Sequence, residues 1–121
     1  MHAAAFLRIA PAALVLLFAA GAFAQPPSVE VVISRSTFVP REITIEPGTR
    51  VVWTNRDGIP HTVTGRGSEP ASPALDTSDR YAHAFEAEGD YGYFCAVHPY
   101  MMGVVHVRKR QAAADARPAP E

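Results

Sequence analysis

Three side chains with metal-binding chemistry lie close together near the C-terminal end of the chain. Cys95, His98 and Met101 offer a thiolate, an imidazole and a thioether, with two residues between each pair. Thiolate and thioether ligands select soft ions such as Cu(I), whereas magnesium, calcium and manganese prefer oxygen ligands. Pro99 removes a backbone donor and favours an extended conformation at His98, which restricts how that ring approaches Cys95. The spacing therefore predicts one mononuclear copper site built on this loop.

A copper site of this kind needs a second histidine, because trigonal sites combine two histidines and one cysteine with a weak axial methionine. His61 is the preferred candidate, since it follows the rigid turn Gly58-Ile59-Pro60 and starts a predicted strand. His83 lies in the middle of another strand, where a packed or hydrogen-bonded histidine is the commoner finding. His106 alternates with two valines and should face outward. We expect His61 to be the ligand, with His83 and His106 as the alternatives.

The axial position has two candidates, because Met101 and Met102 are adjacent. The two-residue spacing after His98 favours Met101 and leaves Met102 at the surface. The alternative roles for Cys95 are a buried core thiol and a structural zinc ligand, but structural zinc takes four Cys or His ligands. This chain has a single cysteine. The predicted metal ligands are therefore His61, Cys95, His98 and Met101, and the predicted cofactor is one type 1 copper ion.

Short alternating apolar runs separated by turns predict strands rather than helices. Examples are Val29 to Ile33, Val51 to Asn55 and Tyr91 to Cys95, whereas the polar stretch from Gly65 to Asp79 is expected to be a surface loop. About seven or eight strands with turns every 8 to 12 residues point to an all-β Greek-key sandwich. The periodicity alone leaves an immunoglobulin-like binding module open.

The chain divides into three predicted parts. Residues 1–24 have a basic Arg8, an apolar run and a small-x-small cleavage site, which is the layout of a secretory signal peptide. Residues 25–108 form one domain, and 109–121 form a disordered tail rich in Ala and Pro. The formal net charge is −1 with interspersed charges, so neither nucleic acid nor a membrane surface is an expected partner. We expect a periplasmic monomer with no membrane span in the mature chain.

The ligand segments resemble those of the cupredoxins, the type 1 blue copper proteins. The resemblance rests on Trp53-Thr54-Asn55-Arg56-Asp57-Gly58-Ile59-Pro60-His61-Thr62-Val63 and on Cys95-x2-His98-Pro99-x-Met101. Within that family the short cysteine-to-methionine loop is most like that of amicyanin- and plastocyanin-type members. The turn Glu88-Gly89-Asp90 before the cysteine strand also matches, and the resemblance extends over about Val29 to Val107.

The resemblance implies a single-electron carrier rather than an enzyme. It implies that the electron leaves through His98, beside which redox partners of dehydrogenase or cytochrome type dock. A flanking apolar patch would consist of Ile59, Pro60, Pro99, Tyr100 and Met102. A copper chaperone or storage protein is the alternative function. Copper oxidases and nitrite reductases typically use His-x-His pairs, of which this sequence has none.

One position departs from the family pattern. Many cupredoxins carry asparagine directly after the first histidine ligand, where its side chain joins the two ligand loops, and this chain has Thr62. A hydroxyl can make only part of that network, so we expect the two loops to be less tightly joined.

Overall fold

The structure is a computed structural model that describes residues 2–17, 21 and 25–110. Within those residues all regular structure is β-strand, and no helix is long and apolar enough to cross a membrane. Residues 2–17 have no regular structure, and their large apolar side chains are exposed. Most of the predicted tail, residues 111–121, lies outside the described residues, as do 22–24 at the predicted cleavage site. The strands are β1 (Ser28–Ser34), β2 (Thr37–Val39), β3 (Glu42–Ile45), β4 (Thr49–Asn55), β5 (Thr64–Gly65), β6 (Arg80–Phe85), β7 (Gly89–Phe94) and β8 (Met102–Val107).

The strands form two four-stranded sheets that pack face to face. The first sheet has the order β2-β1-β4-β6 and the second has the order β3-β8-β7-β5. Two neighbouring pairs are parallel, β1 with β4 and β3 with β8, and the remaining pairs are antiparallel. The chain therefore crosses between the sheets repeatedly, and the predicted all-β sandwich is confirmed.

The core consists of the inward-facing residues of both sheets, as the alternating pattern predicts. Trp53 lies at its centre, with edge-to-face contact to Tyr93 at 5.4 Å between ring centroids. Tyr93 in turn packs against Phe38 at 4.7 Å. Gly103, paired with Tyr93 across β7 and β8, makes room for the phenol ring, because a Cβ there would lie 2.4 Å from its Cζ. Bulky aromatic rings thus fill the core directly below the end of β7 that leads to Cys95.

The region between β4 and β6 differs from the sequence prediction. The strand predicted to start at His61 is absent, and the structure has only β5, with an isolated bridge between His61 and Leu75. The stretch from Gly65 to Asp79 is a mostly exposed loop beyond the end of β5, as expected, but it folds back on the sandwich and buries Leu75. The alternation of apolar residues cannot predict how Leu75 packs, because this packing depends on an isolated bridge between two residues that are distant in sequence.

His106, one of the alternative ligands, lies on the outer face of the second sheet between two carboxylates. Its Nδ1 is 2.6 Å from Asp90 Oδ1, and its Nε2 is 2.5 Å from Glu42 Oε1. Both ring nitrogens must carry a proton to donate to both acceptors, so the hydrogen bonds to Asp90 and then Glu42 raise the pKa of His106 above its ordinary value. The charged His106 ring on β8 is therefore hydrogen-bonded to a carboxylate on β7 and to another on β3.

This arrangement predicts a pH-dependent contribution to stability. A group whose pKa is raised by folding stabilises the protein fully below its unfolded pKa, about 6.5 for histidine, and loses that effect as the pH rises through the folded pKa. His106→Gln should therefore lower the free energy of unfolding more at pH 6 than at pH 9. The measurement is urea unfolding of metal-free wild type and variant across that range. A difference between the two proteins that stays constant with pH would refute the charged cross-link.

Candidate metal centre

Cys95 directly follows β7, and its thiol is fully buried. Two backbone hydrogen bonds close the loop that follows it. Cys95 N donates to Met101 O at 3.1 Å, and Met101 N donates to His98 O at 2.9 Å. These bonds fold the loop back on itself. The side chains that are separated by two residues can therefore approach the same centre. The loop therefore presents thiol and imidazole to one centre.

His61 reaches this centre from the other ligand segment. Its backbone N donates to Leu75 O at 3.1 Å, and Leu75 N donates to His61 O at 2.7 Å. Asn55 strengthens the same contact, since its Nδ2 donates to Leu75 O and to Ile59 O, both at 2.9 Å. The ring of His61 has no exposed surface. Its position is thus fixed by the end of β4 on one side and by the folded-back loop on the other.

The three donor atoms form a compact group. His61 Nδ1 lies 3.7 Å from Cys95 Sγ, and His98 Nδ1 lies 3.8 Å from it. All three atoms are within 4.8 Å of one another. Bonds of about 2.1 Å to nitrogen and about 2.3 Å to sulfur, meeting at trigonal angles, separate the donors by about 3.8 Å. The donor set and its spacing therefore fit a trigonal soft ion such as copper.

The two methionines differ in burial. Met101 is 2% exposed and belongs to the core cluster that contains Cys95, whereas Met102 is 45% exposed. A thioether that serves as an axial ligand must point inward, toward the trigonal plane. The burial difference favours Met101, as the loop spacing does.

His83 and His106 lie outside the donor group. His83 Nε2 contacts Glu69 Oε2 at 2.6 Å, and its ring packs edge-to-face on Phe85 at 4.7 Å. His106 is held by the two carboxylates described above. Among the described residues, the structure brings together His61, Cys95 and His98 and leaves the two alternatives in structural roles.

Thr62 makes the part of the loop-to-loop network that a hydroxyl can make. Its Oγ1 accepts a hydrogen bond from Ala96 N at 2.8 Å, and it also contacts the Thr64 hydroxyl at 2.8 Å. Its backbone N donates to Cys95 Sγ at 3.4 Å. The hydroxyl therefore makes the loop-to-loop contact, and the N–H stabilises negative charge on the sulfur.

Asp57 is a residue of the site that the sequence prediction missed, because no role was predicted for its carboxylate. Its Oδ2 contacts His61 Nε2 at 2.8 Å, and the carboxylate accepts hydrogen bonds from Ser36 N and Arg35 N. Burial alone would raise the pKa of Asp57, but the bonds from Ser36, Arg35 and His61 together hold it below its ordinary value. The four-residue separation between Asp57 and His61 was the available signal.

Comparison with known proteins gives consistent findings. The sequence model of the copper binding proteins of the plastocyanin/azurin family matches residues 28–108. Amicyanin-alpha of Methylorubrum extorquens is 39% identical over 85 residues, which cover 66% of this chain and 71% of the relative. A purple cupredoxin from Nitrosopumilus maritimus is 33% identical with a TM-score of 0.62, over 65% of this chain and 98% of that chain. The copper-containing nitrite reductase of Thermus scotoductus is 27% identical with a TM-score of 0.66, where 73% of this chain covers 24% of that chain.

The burial of the methionines generates a paired prediction for the copper-loaded protein. Met101→Leu should raise the reduction potential, because a thioether donor stabilises Cu(II) more than Cu(I) and the axial ligand tunes blue-copper potentials. Met102→Leu, at an exposed position, should leave potential and visible spectrum nearly unchanged. Leucine conserves most of the volume of methionine, so each variant should lose less than about 1.5 kcal/mol of stability. Voltammetry of both variants tests the pair, and the reverse pattern would assign the axial position to Met102.

Proposed function

Because this chain belongs to the plastocyanin/azurin family of copper-binding proteins, the cupredoxins, we propose that it is a periplasmic carrier of single electrons. The family resemblance found in the sequence is confirmed, and the cofactor is copper. We assign the ligands as His61, Cys95, His98 and Met101. The observation that carries the proposal is the donor group of two Nδ1 atoms and one thiol sulfur at trigonal spacing.

Bound copper supplies the chemistry by alternating between Cu(II) and Cu(I). The protein contributes a ligand frame that is already assembled. Backbone hydrogen bonds close the Cys95–Met101 loop and hold His61 against Leu75, so the donor atoms need to move little between oxidation states. The Thr62 N–H directed at Cys95 Sγ stabilises the thiolate. A rapid electron carrier requires that the metal ligands move little when the metal changes its oxidation state.

Burial distinguishes this proposal from a copper chaperone or storage protein. A protein that hands copper to a partner needs ligands that the partner can reach. Here Cys95 and His61 have no exposed surface and Met101 has almost none. His98 alone of the four is partly exposed. An ion held in this way is retained, while an electron can still leave through the His98 ring.

The architecture also favours a carrier over a copper enzyme. Within the described part of the chain, one group of clustered histidine, cysteine and acidic side chains has metal-site spacing. The nitrite reductase that resembles this chain is much longer, since the match covers 24% of it. We therefore propose that this domain, residues 25–108, transfers electrons and is not itself an enzyme, with residues 1–24 as a cleaved export signal.

We propose that the exposed apolar side chains of the two ligand segments form a docking surface beside His98. It contains Tyr100, which is 67% exposed and lies edge-to-face with His98 at 6.0 Å. Ile59, Val97 and Met102, in the same ligand segments or directly after them, are also exposed. Small apolar contact areas suit the brief encounters of redox proteins. We propose that a dehydrogenase or cytochrome partner docks on this surface and that the protein acts as a monomer.

Addition of Cu(II) tests the function directly. The wild-type protein should acquire an intense visible thiolate-to-copper band and a reversible one-electron couple. The Cys95→Ser variant should lose the intense band while the domain stays folded, because serine provides no thiolate that can donate charge to copper. Visible spectroscopy and circular dichroism are the measurements. A band that survives in Cys95→Ser would refute the ligand assignment, and a wild-type protein that binds only Cu(I) would favour the chaperone.

The docking surface predicts how electron self-exchange responds to charge. Tyr100→Glu places a carboxylate beside His98, so that two such surfaces repel each other when they meet. Like charges in an interface cost several kcal/mol, so self-exchange should slow at least about tenfold. Ala87→Glu is the matched control, because this exposed residue between β6 and β7 adds the same charge away from the site. NMR line broadening in mixed Cu(I)/Cu(II) samples measures the rates, and equal slowing in both variants would contradict the assigned surface.

A further inference from the structure

The two ring nitrogens of His61 have different environments. Nδ1 faces the ligand group, 3.7 Å from Cys95 Sγ. Nε2 points the opposite way and lies 2.8 Å from Asp57 Oδ2. When Nδ1 binds a metal through its lone pair, Nε2 must carry the remaining proton. The Asp57 carboxylate is the acceptor for that proton's hydrogen bond.

The carboxylate is itself held from a third segment of the chain. Arg35 N donates to Asp57 Oδ1 at 2.7 Å and Ser36 N donates to Oδ2 at 2.8 Å. Both residues have left-handed backbone angles, with φ of 52° and 54°. Non-glycine residues adopt these angles at a cost. The tight turn between β1 and β2 thus directs two adjacent N–H groups at one carboxylate, which fixes its position relative to His61.

Asp57 is also shielded from solvent on the side that faces His61. Its side chain is 15% exposed and that of His61 is fully buried. Its backbone N donates to Asn55 Oδ1 at 3.0 Å, so the residue is anchored at main chain and side chain alike. A negative charge in such surroundings is screened less by water and salt than a surface carboxylate.

From these contacts we propose that Asp57 is a positioning residue that fixes the Nε2–H tautomer of His61 and lowers the reduction potential of the copper site. The inference rests on the proposed copper function and adds a residue that controls it. A carboxylate that accepts from a metal-bound imidazole orients the ring and increases the basicity of the metal-binding nitrogen. The more basic ligand and the nearby negative charge both favour Cu(II) over Cu(I), because Cu(II) carries one more positive charge.

The test must separate charge from structure, since loss of Asp57 also removes the acceptor for Arg35 N and Ser36 N. Asp57→Asn and Asp57→Ser are two neutral variants whose side-chain oxygens can still accept one of these N–H bonds. Asp57→Glu keeps the charge. Asp90→Asn is the matched control, because it removes the same charge from an exposed carboxylate at the far end of β7, where it contacts His106 and Arg108 rather than a ligand.

The midpoint potential of each copper-loaded variant is the primary measurement. Changes to groups that orient metal ligands alter metal affinity by roughly 10- to 100-fold. We expect the neutral variants to shift the Cu(II)/Cu(I) equilibrium about tenfold toward Cu(I), which is about 59 mV for one electron. Asp57→Glu should restore most of the wild-type potential, and Asp90→Asn should not change it.

A second measurement follows the tautomer without copper. NMR of the metal-free protein should show a slowly exchanging Nε2 proton on His61 in the wild type and lose it in the neutral variants. The inference is overturned if both neutral variants keep the wild-type potential, or if Asp57→Glu raises the potential as much as they do. Failure of the proposed function would look different: the wild type itself would lack the thiolate band and a reversible couple.

Discussion

Two imidazole nitrogens, one each from His61 and His98, lie 3.7 and 3.8 Å from the Cys95 sulfur inside the protein fold. Such a group is stable only if the chain itself holds each donor. The sandwich does this from two separate segments. β7 leads to Cys95, and the hydrogen bonds among Cys95, His98 and Met101 close the loop beyond it. The end of β4, through Asn55, holds the segment that carries His61.

The loop between β5 and β6 gives the site its asymmetry. It packs Leu75 against His61 and hydrogen-bonds back to Asn55, whose carbonyl accepts from Ser78 N. This cover excludes water from His61, while His98 stays partly exposed among apolar side chains. One ligand is therefore an internal anchor and the other reaches the surface. In the proposed carrier, this asymmetry would let the electron leave through His98 while Cys95 stays buried.

The sequence predicted those features that arise from local patterns. Period-two alternation identified most strands, and the spacing of Cys95, His98 and Met101 indicated the ligand loop. It did not predict the turn that holds Asp57, the Thr62–Ala96 bond or the packing of Leu75. Each of these is a contact between segments well separated in sequence. Whether a carboxylate after a strand meets a histidine or solvent depends on the turn between β1 and β2, which periodicity does not encode.

The core below the site is packed with aromatic rings close to the strand that leads to Cys95. Tyr93 OH and Trp53 Nε1 are buried, and neither has a hydrogen-bond partner in the part of the chain that the structure describes. Burial raises the pKa of Tyr93 to about 12, so the phenol is neutral throughout the physiological range. Unpaired polar atoms in a core cost free energy, and close aromatic packing between Phe38, Trp53 and Tyr93 offsets it. Large rings locked by their neighbours leave few alternative rotamers. Because Tyr93 precedes Cys95 by two residues and both side chains belong to the buried core, this packing holds the end of β7 from which Cys95 follows.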